Sequence, residues 1–211
     1  MIFGVKAMRW LLSVLMGAVF LASPSFAQEN SPEALVKNVT EEVLDIIRQD
    51  KDIQGGSTRK VIELVDAKVL PHFNFQRMTA LAVGRDWNKA NPDQKKQLAE
   101  EFKTLLVRTY ANALTGYKDQ TIRFKPSKVQ SDTEVMVRSE VVQSGSSPIP
   151  LDYSLEKLPE GWKVYDVIVA GVSLVTNYRD TFGQEVRANG IDGLVKMLVD
   201  RNRQLESSGK K

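Results

Sequence analysis

Residues 161–170, GWKVYDVIVA, read as a β-strand that can leave neither face in open water. Trp162, Val164 and Ile168 fall on one parity, and Tyr165, Val167 and Val169 on the other. Side chains alternate across a strand, so both faces are apolar and both need cover. One carboxylate, Asp166, sits in the middle. A chain of 211 residues must supply a layer on each side of this strand, or leave one side to something other than protein.

Not all of those residues are available for cover. Residues 1–27 carry Lys6 and Arg9, no acidic residue, an apolar run LLSVLMGAVFL and a small-x-small site, Ser25-Phe26-Ala27. The run is too short to span a bilayer, which takes about 20 residues. The pattern predicts a Sec-type signal peptide cleaved after Ala27, hence an exported protein of the periplasm with a mature chain starting at Gln28. Without cysteine, a lipid anchor at the cut is excluded. The 29 basic residues fall to 27 when Lys6 and Arg9 leave with the leader, against 26 acidic ones, for a net charge of +1. No basic stripe interleaved with aromatics is present, so nucleic acid is not an expected partner. The remaining length suits one domain, residues 28–206, that buries a core without disulfides, followed by a disordered tail, residues 207–211.

The mature chain begins in helical period and ends its middle third in strand period. Ser31 predicts an N-cap with Pro32 in the first helical position and Glu33 in the first turn, ahead of a Val36, Val39, Val43, Ile47 stripe. Gly55-Gly56 breaks that helix, and a second one turns Val61, Ile62, Val65 and Val69 inward before Pro71. Asn74 predicts the cap of a short helix closed near Gly84. Asn91, Pro92 and Gln94 open the longest helix in capping-box fashion, with Leu98, Phe102, Leu105, Leu106, Thr109, Tyr110 and Ala113 on one stripe and Gly116 as the stop. Four runs of period two follow: QTIRFKP, TEVMVRSEVVQ, IPLDYSLEKL and GWKVYDVIVA. SGSS and LPEG read as hairpin loops. A turn at Glu160-Gly161 and a longer one starting at Pro159 place Asp166 on opposite faces, and the spacing allows both. Two helices divided at Asn189-Gly190 close the chain. The expected class is α+β: N-terminal helices, a twisted four-stranded antiparallel sheet and C-terminal helices, NTF2-like in general shape.

Catalytic and metal chemistry are poorly provided for. There is one histidine, His72, no cysteine, no G-x-S-x-G elbow and no phosphate-cradling glycine loop, so no metal and no cofactor are expected. Asp166 has two readings. It is a structural acceptor for backbone amides or an arginine, or it is the general base of a cavity-type periplasmic enzyme with Tyr153 or Tyr165 as hydrogen-bond donor. A chaperone or adaptor without a small ligand is a third class. The excess of apolar residues on the strands points to a buried ligand.

Five stretches carry a resemblance: LPHFNFQRMTALAVGRDW, FKTLLVRTYANAL, PLDYSL, GWKVYDVIVAGVSLVTNYRDTF and GIDGLVKML. Together, from about residue 34 to 198, they resemble the MlaC or toluene-tolerance family of periplasmic phospholipid carriers. The run W-x-V-Y-D-x-x-x-x-G-V-S at 162–173 is its most specific part. The family usually has Asp after the proline turn, where this chain has Asn74. The resemblance implies a non-enzymatic carrier with a diacyl phospholipid as cargo in an apolar cavity between sheet and helices. It implies docking to the MCE-domain subunit of an inner-membrane ABC transporter and to an outer-membrane lipoprotein–porin complex, in support of outer-membrane lipid asymmetry. On that reading the lipid-contacting residues are expected to be Leu106, Tyr110, Val135, Val137, Val141, Ile149, Leu151, Tyr153, Val164, Val169 and Val172, with Asp166 as structural acceptor.

Overall fold

The computed structural model describes residues 31–117 and 119–208. The leader read at residues 1–27 and its cleavage site lie outside them. Among the described residues, no helix is long and apolar enough to cross a membrane.

Helices start where the sequence supplies a cap. Ser31 Oγ accepts from the Ala34 amide at 3.1 Å and opens α1 (Pro32–Gln49). Asp50 and Ser57 cap the short α2 (Lys51–Gln54) and α3 (Thr58–Lys68). After a 3-10 turn containing Pro71, Asn74 Oδ1 accepts from the Arg77 amide at 3.0 Å and opens α4 (Phe75–Val83). α5 (Pro92–Thr115) begins with the reciprocal capping box, Gln94 N–H to Asn91 and Asn91 N–H to Gln94, both at 2.9 Å. The two C-terminal helices expected on either side of Asn189-Gly190 run on as one kinked element, α6 (Arg179–Ser208), with Gly190 at φ 71°, ψ −172°. Its last turn includes Ser207 and Ser208, the first two residues read as tail; the rest of that tail lies outside the described residues.

The sheet is an antiparallel meander in the order β1 (Thr121–Ser131), β2 (Glu134–Val142), β3 (Ile149–Leu158), β4 (Gly161–Val169), β5 (Val172–Ser173). It has five strands, not the four expected. The missed strand is two residues long and returns through a tight hairpin whose central residues, Ala170 and Gly171, sit at φ 51° and 84°. Such turns follow the twist of paired strands and usually announce themselves as Asn-Gly or Asp-Gly. Alanine in the first position hides the signal. At the opposite edge, β1 carries Lys125, Pro126, Lys128 and two register shifts, features that discourage pairing with another chain.

The β3–β4 turn is Pro159-Glu160, between the paired Leu158 and Gly161. It matches neither expected placement, and it is not what sets the facing of β4. Leu155 pairs with Val164 and Ser154 with Asp166, so Tyr165 is the extra residue of a β-bulge. Past the bulge the parity changes. Trp162 and Val164 therefore share a face with Val167 and Val169, and the two-parity division read from the sequence does not hold.

Buried side chains form three lobes where one contiguous core is usual. In one, α4, the first half of α5 and α6 enclose Met78, Leu98, Phe102, Leu106, Phe182 and Leu198 together with Tyr165 and Val175. In another, α1, α2 and α3 pack Ile47, Ile53 and Val61 against Ala111 of α5. The third is the sheet's own: Val135, Val137, Leu155 and Val164 beneath Val36 of α1. Helix α5 serves two lobes, and this splits the stripe read from its sequence. Leu98, Phe102, Leu105 and Leu106 face α4 and α6, while Val107, Ala111 and Leu114 face α1 to α3, leaving Thr109, Tyr110 and Ala113 exposed.

Candidate functional site

The register places one continuous apolar face across the sheet. It carries Ile122 and Phe124 of β1, Val135, Val137 and Val141 of β2, Ile149, Leu151, Tyr153 and Leu155 of β3, and Trp162, Val164, Val167 and Val169 of β4. Two polar residues share it: Lys157, exposed beside Trp162, and Ser139, which is buried and donates its hydroxyl to the Leu151 carbonyl.

On β2, β3 and β4 cover on this face falls off from one end to the other, while at the β1 edge Val129, opposite Val135, is exposed. Val135, Val137, Leu155 and Val164 are buried under Val36 of α1, with Leu35 and Phe73 packed alongside. Phe124, Tyr153 and Val167 in the middle are half-buried. Tyr153 meets α1 through a side-chain hydrogen bond with Thr40, and burial pushes its phenol up to about 12. Toward the far end Val141 and Leu151 are half-buried, and Ile149 and Val169 are exposed. The helical layer thus covers one end of this apolar face with α1 and leaves the other end open.

The residues expected to touch lipid divide accordingly. Leu106 lies in the α4–α5–α6 lobe, not over the sheet. Val135, Val137 and Val164 pack against protein. Val141, Leu151 and Tyr153 line the half-open middle, and Tyr110, Ile149, Val169 and Val172 are exposed. Sequence reasoning missed Phe73, Phe124, Trp162 and Val167. The face of Val167 depends on the bulge and that of Phe124 on the β1 register, and Phe73 arrives through its bridge to Val164, none of which a short-range pattern announces; Trp162 shares the parity of Val164 and was legible from it.

The other face of the sheet is polar and closed by α4. Arg77 binds Glu134 at 2.5 Å and Glu156 at 2.6 Å, and its guanidinium lies 3.7 Å from the centre of the Tyr165 ring. Asn74 Nδ2 donates to Glu156 at 2.8 Å while its Oδ1 caps α4. Asp166 is on this face. Its carboxylate accepts from Ser173 Oγ at 2.5 Å, from the Val175 amide at 3.2 Å and from the Val167 amide, tying the return of β5 to the turn before α6. Burial pushes its carboxyl upward, against these hydrogen bonds, which favour the charge.

The general-base constellation is not assembled. Tyr153 is on the opposite face from Asp166, and the Tyr165 hydroxyl is directed at Glu134, 3.4 Å away. Among the described residues, no group of three or more acidic or histidine side chains is placed to hold a metal ion.

Several known proteins are similar to this chain. A solved structure of a phospholipid-binding protein from Ralstonia solanacearum, in complex with a phospholipid, superposes with a TM-score of 0.77; it is 43% identical and the match covers 82% of this chain and 98% of that one. The toluene tolerance protein ttg2D of Pseudomonas putida is 26% identical over 163 residues, 77% of this chain and 76% of its own. The intermembrane phospholipid transport system binding protein MlaC of Haemophilus influenzae is 25% identical over 183 residues, 85% of this chain and 86% of its own. The sequence profile of the MlaC protein family matches residues 37–200, most of the described chain, and the protein belongs to that family.

Proposed function

We propose that this protein is a phospholipid carrier that holds acyl chains against the apolar face of β2, β3 and β4, beyond the end that α1 covers. The observation that carries the reading is the falling cover on that face: Tyr153 and Val167 still pack beside α1, but beyond them the apolar Val141 and Leu151 are only half-buried and Ile149 and Val169 are exposed. The phospholipid held by the Ralstonia protein, at 43% identity, supports it. Val141, Leu151, Tyr153 and Val167 form the wall, Val135, Val137 and Val164 its protein-packed floor, and Ile149, Val169 and Val172 its rim, whereas Tyr110 stands beside Tyr178, away from this face.

No bond-making is required. Each acyl CH₂ moved from a bilayer into water costs about 0.8 kcal/mol, so two chains of roughly sixteen carbons cost on the order of 25 kcal/mol. A carrier removes that barrier by offering an apolar surface close in quality to the bilayer itself. It must not greatly exceed it, and release then depends on a docking partner that favours an emptied or opened state. Asp166 acts as a structural acceptor within this scheme, not as a base.

The setting we propose is the Gram-negative periplasm, with residues 1–27 removed as a signal peptide and residues 28–206 as a single lipid-binding domain. The partners are the MCE-domain subunit of an inner-membrane ABC transporter and an outer-membrane lipoprotein–porin complex, in the service of outer-membrane lipid asymmetry. Mass spectrometry of the protein purified from periplasm without detergent tests the central claim. Diacyl phospholipid near one-to-one stoichiometry is expected, and protein that is folded and lipid-free would defeat it.

A further inference from the structure

In a chain of which 26% is charged, residues 141–151 and 167–178 contain no charged side chain. Pairing of β3, β4 and β5 brings the two stretches together: Leu151 opposes Val169, and the Ala170 amide donates to the Pro150 carbonyl at 2.9 Å. At this corner of the sheet the apolar residues Pro148, Ile149, Pro150, Val169, Ala170 and Val172 are all exposed, Ile149 by 47% and Val172 by 54%.

The turn itself adds an independent observation. Ala170 sits at φ 51°, the one non-glycine residue at positive φ among the described residues. That conformation is uncomfortable for alanine, whereas asparagine, aspartate and glycine adopt it readily. The chain therefore keeps an apolar side chain at the tip although a polar one would be less strained. Strain retained at an exposed position points to a requirement outside the fold.

We propose that the β4–β5 turn, with the adjoining start of β3, is a contact surface for a lipid bilayer, inserting shallowly at the boundary of headgroups and acyl chains. The fit is one of charge and shape. The tip is a protruding two-residue turn, not a groove that would receive a protein segment. The two stretches carry no charge of their own, and the charged group opposite Pro150, Glu140, is paired with Arg123 and Lys125. The tip is also continuous, through Leu151 and Val169, with the half-open wall of the carrier reading on which this inference rests, so a chain leaving that wall passes over apolar surface into the membrane. Binding of this kind scales with buried apolar area and is insensitive to salt.

The test uses the exported chain and phosphatidylcholine vesicles, with sedimentation as the readout and lipid extraction of the protein run in parallel. Ala170→Asp suits the turn and places a charge at its tip; Ala170→Asn suits the turn without charge. The parent is expected to sediment with vesicles equally at about 0.1 M and 1 M salt, where screening differs severalfold. Ala170→Asn should keep most of that binding, and Ala170→Asp should lose it by about tenfold, equivalent to 1.4 kcal/mol. Equal binding by Ala170→Asp and the parent overturns the proposal, as does binding lost at high salt. So does a parent that ignores bare vesicles and binds only a membrane protein, or that forms a dimer which Ala170→Asp dissolves. Bound lipid in the extracts keeps the carrier reading standing through any of these results, and a lipid-free parent counts against that reading instead.

Discussion

Asn74→Asp is the substitution that most directly tests how the polar face of the sheet is held. The cap of α4 would survive the change, because either side chain accepts from the Arg77 amide about equally well. The second bond would not survive. Asn74 Nδ2 donates to Glu156 at 2.8 Å, and aspartate would put an oxygen there, facing a carboxylate whose side chain is 12% exposed. Loss of a hydrogen bond to a charged group costs about 1.5–3 kcal/mol. The new charge at the start of α4 returns roughly 0.3–1 kcal/mol. Arg77, bound to Glu156 at 2.6 Å, moderates the repulsion between the two carboxylates. The expected net loss is about 2 kcal/mol at neutral pH. It should shrink as pH falls, since one proton taken up between the two carboxyl groups restores a donor. It should also shrink in a Glu156→Gln background. Urea unfolding of parent, both single variants and the double variant measures the coupling. Equal stability of Asn74→Asp and parent at neutral pH, or a loss that Glu156→Gln leaves unchanged, would refute the reasoning.

The remaining expectations concern lipid, Asp166 and export. Leu151→Glu puts a carboxylate on the half-open wall, where an isolated charge must protonate or draw in water; far-UV circular dichroism and melting should report a folded protein while solvent extraction reports lost lipid, and full lipid occupancy would remove Leu151 from the wall. Asp166→Asn should retain lipid and weaken the ties to Ser173 and Val175 by about 1.5–3 kcal/mol. Because burial raises the folded-state pKa of Asp166, its protonated form favours folding: the parent should lose stability relative to Asp166→Asn as pH rises from the unfolded-state value, about 4, through the raised folded value. A pH-independent difference would mean that this carboxyl does not titrate as described. N-terminal sequencing of protein released by osmotic shock should begin at Gln28, and protein recovered only in membranes with residues 1–27 attached would count against export.

What the sequence determined by itself was local. Ser31-Pro32, Asn74 and Asn91-Pro92 with Gln94 open helices through bonds to residues three positions away, so the information lies inside one turn of chain. The runs of period two likewise named the four long strands, and the resemblance carried by five stretches named the family. Tertiary structure decided everything that required two distant segments to meet. The bulge at Tyr165 exists only against the register of β3, and it alone moves Val167 and Val169 onto the face of Val164. Strand β5 pairs through a turn whose alanine gives no local warning. The α5 stripe divides because two different helical lobes press on one helix, and Leu106 goes to the lobe away from the sheet. Arg77 gathers Glu134 and Glu156 from 57 and 79 residues away. Periodicity says which side chains leave water together, but which surface receives them is fixed by register and packing, and those are properties of the whole fold.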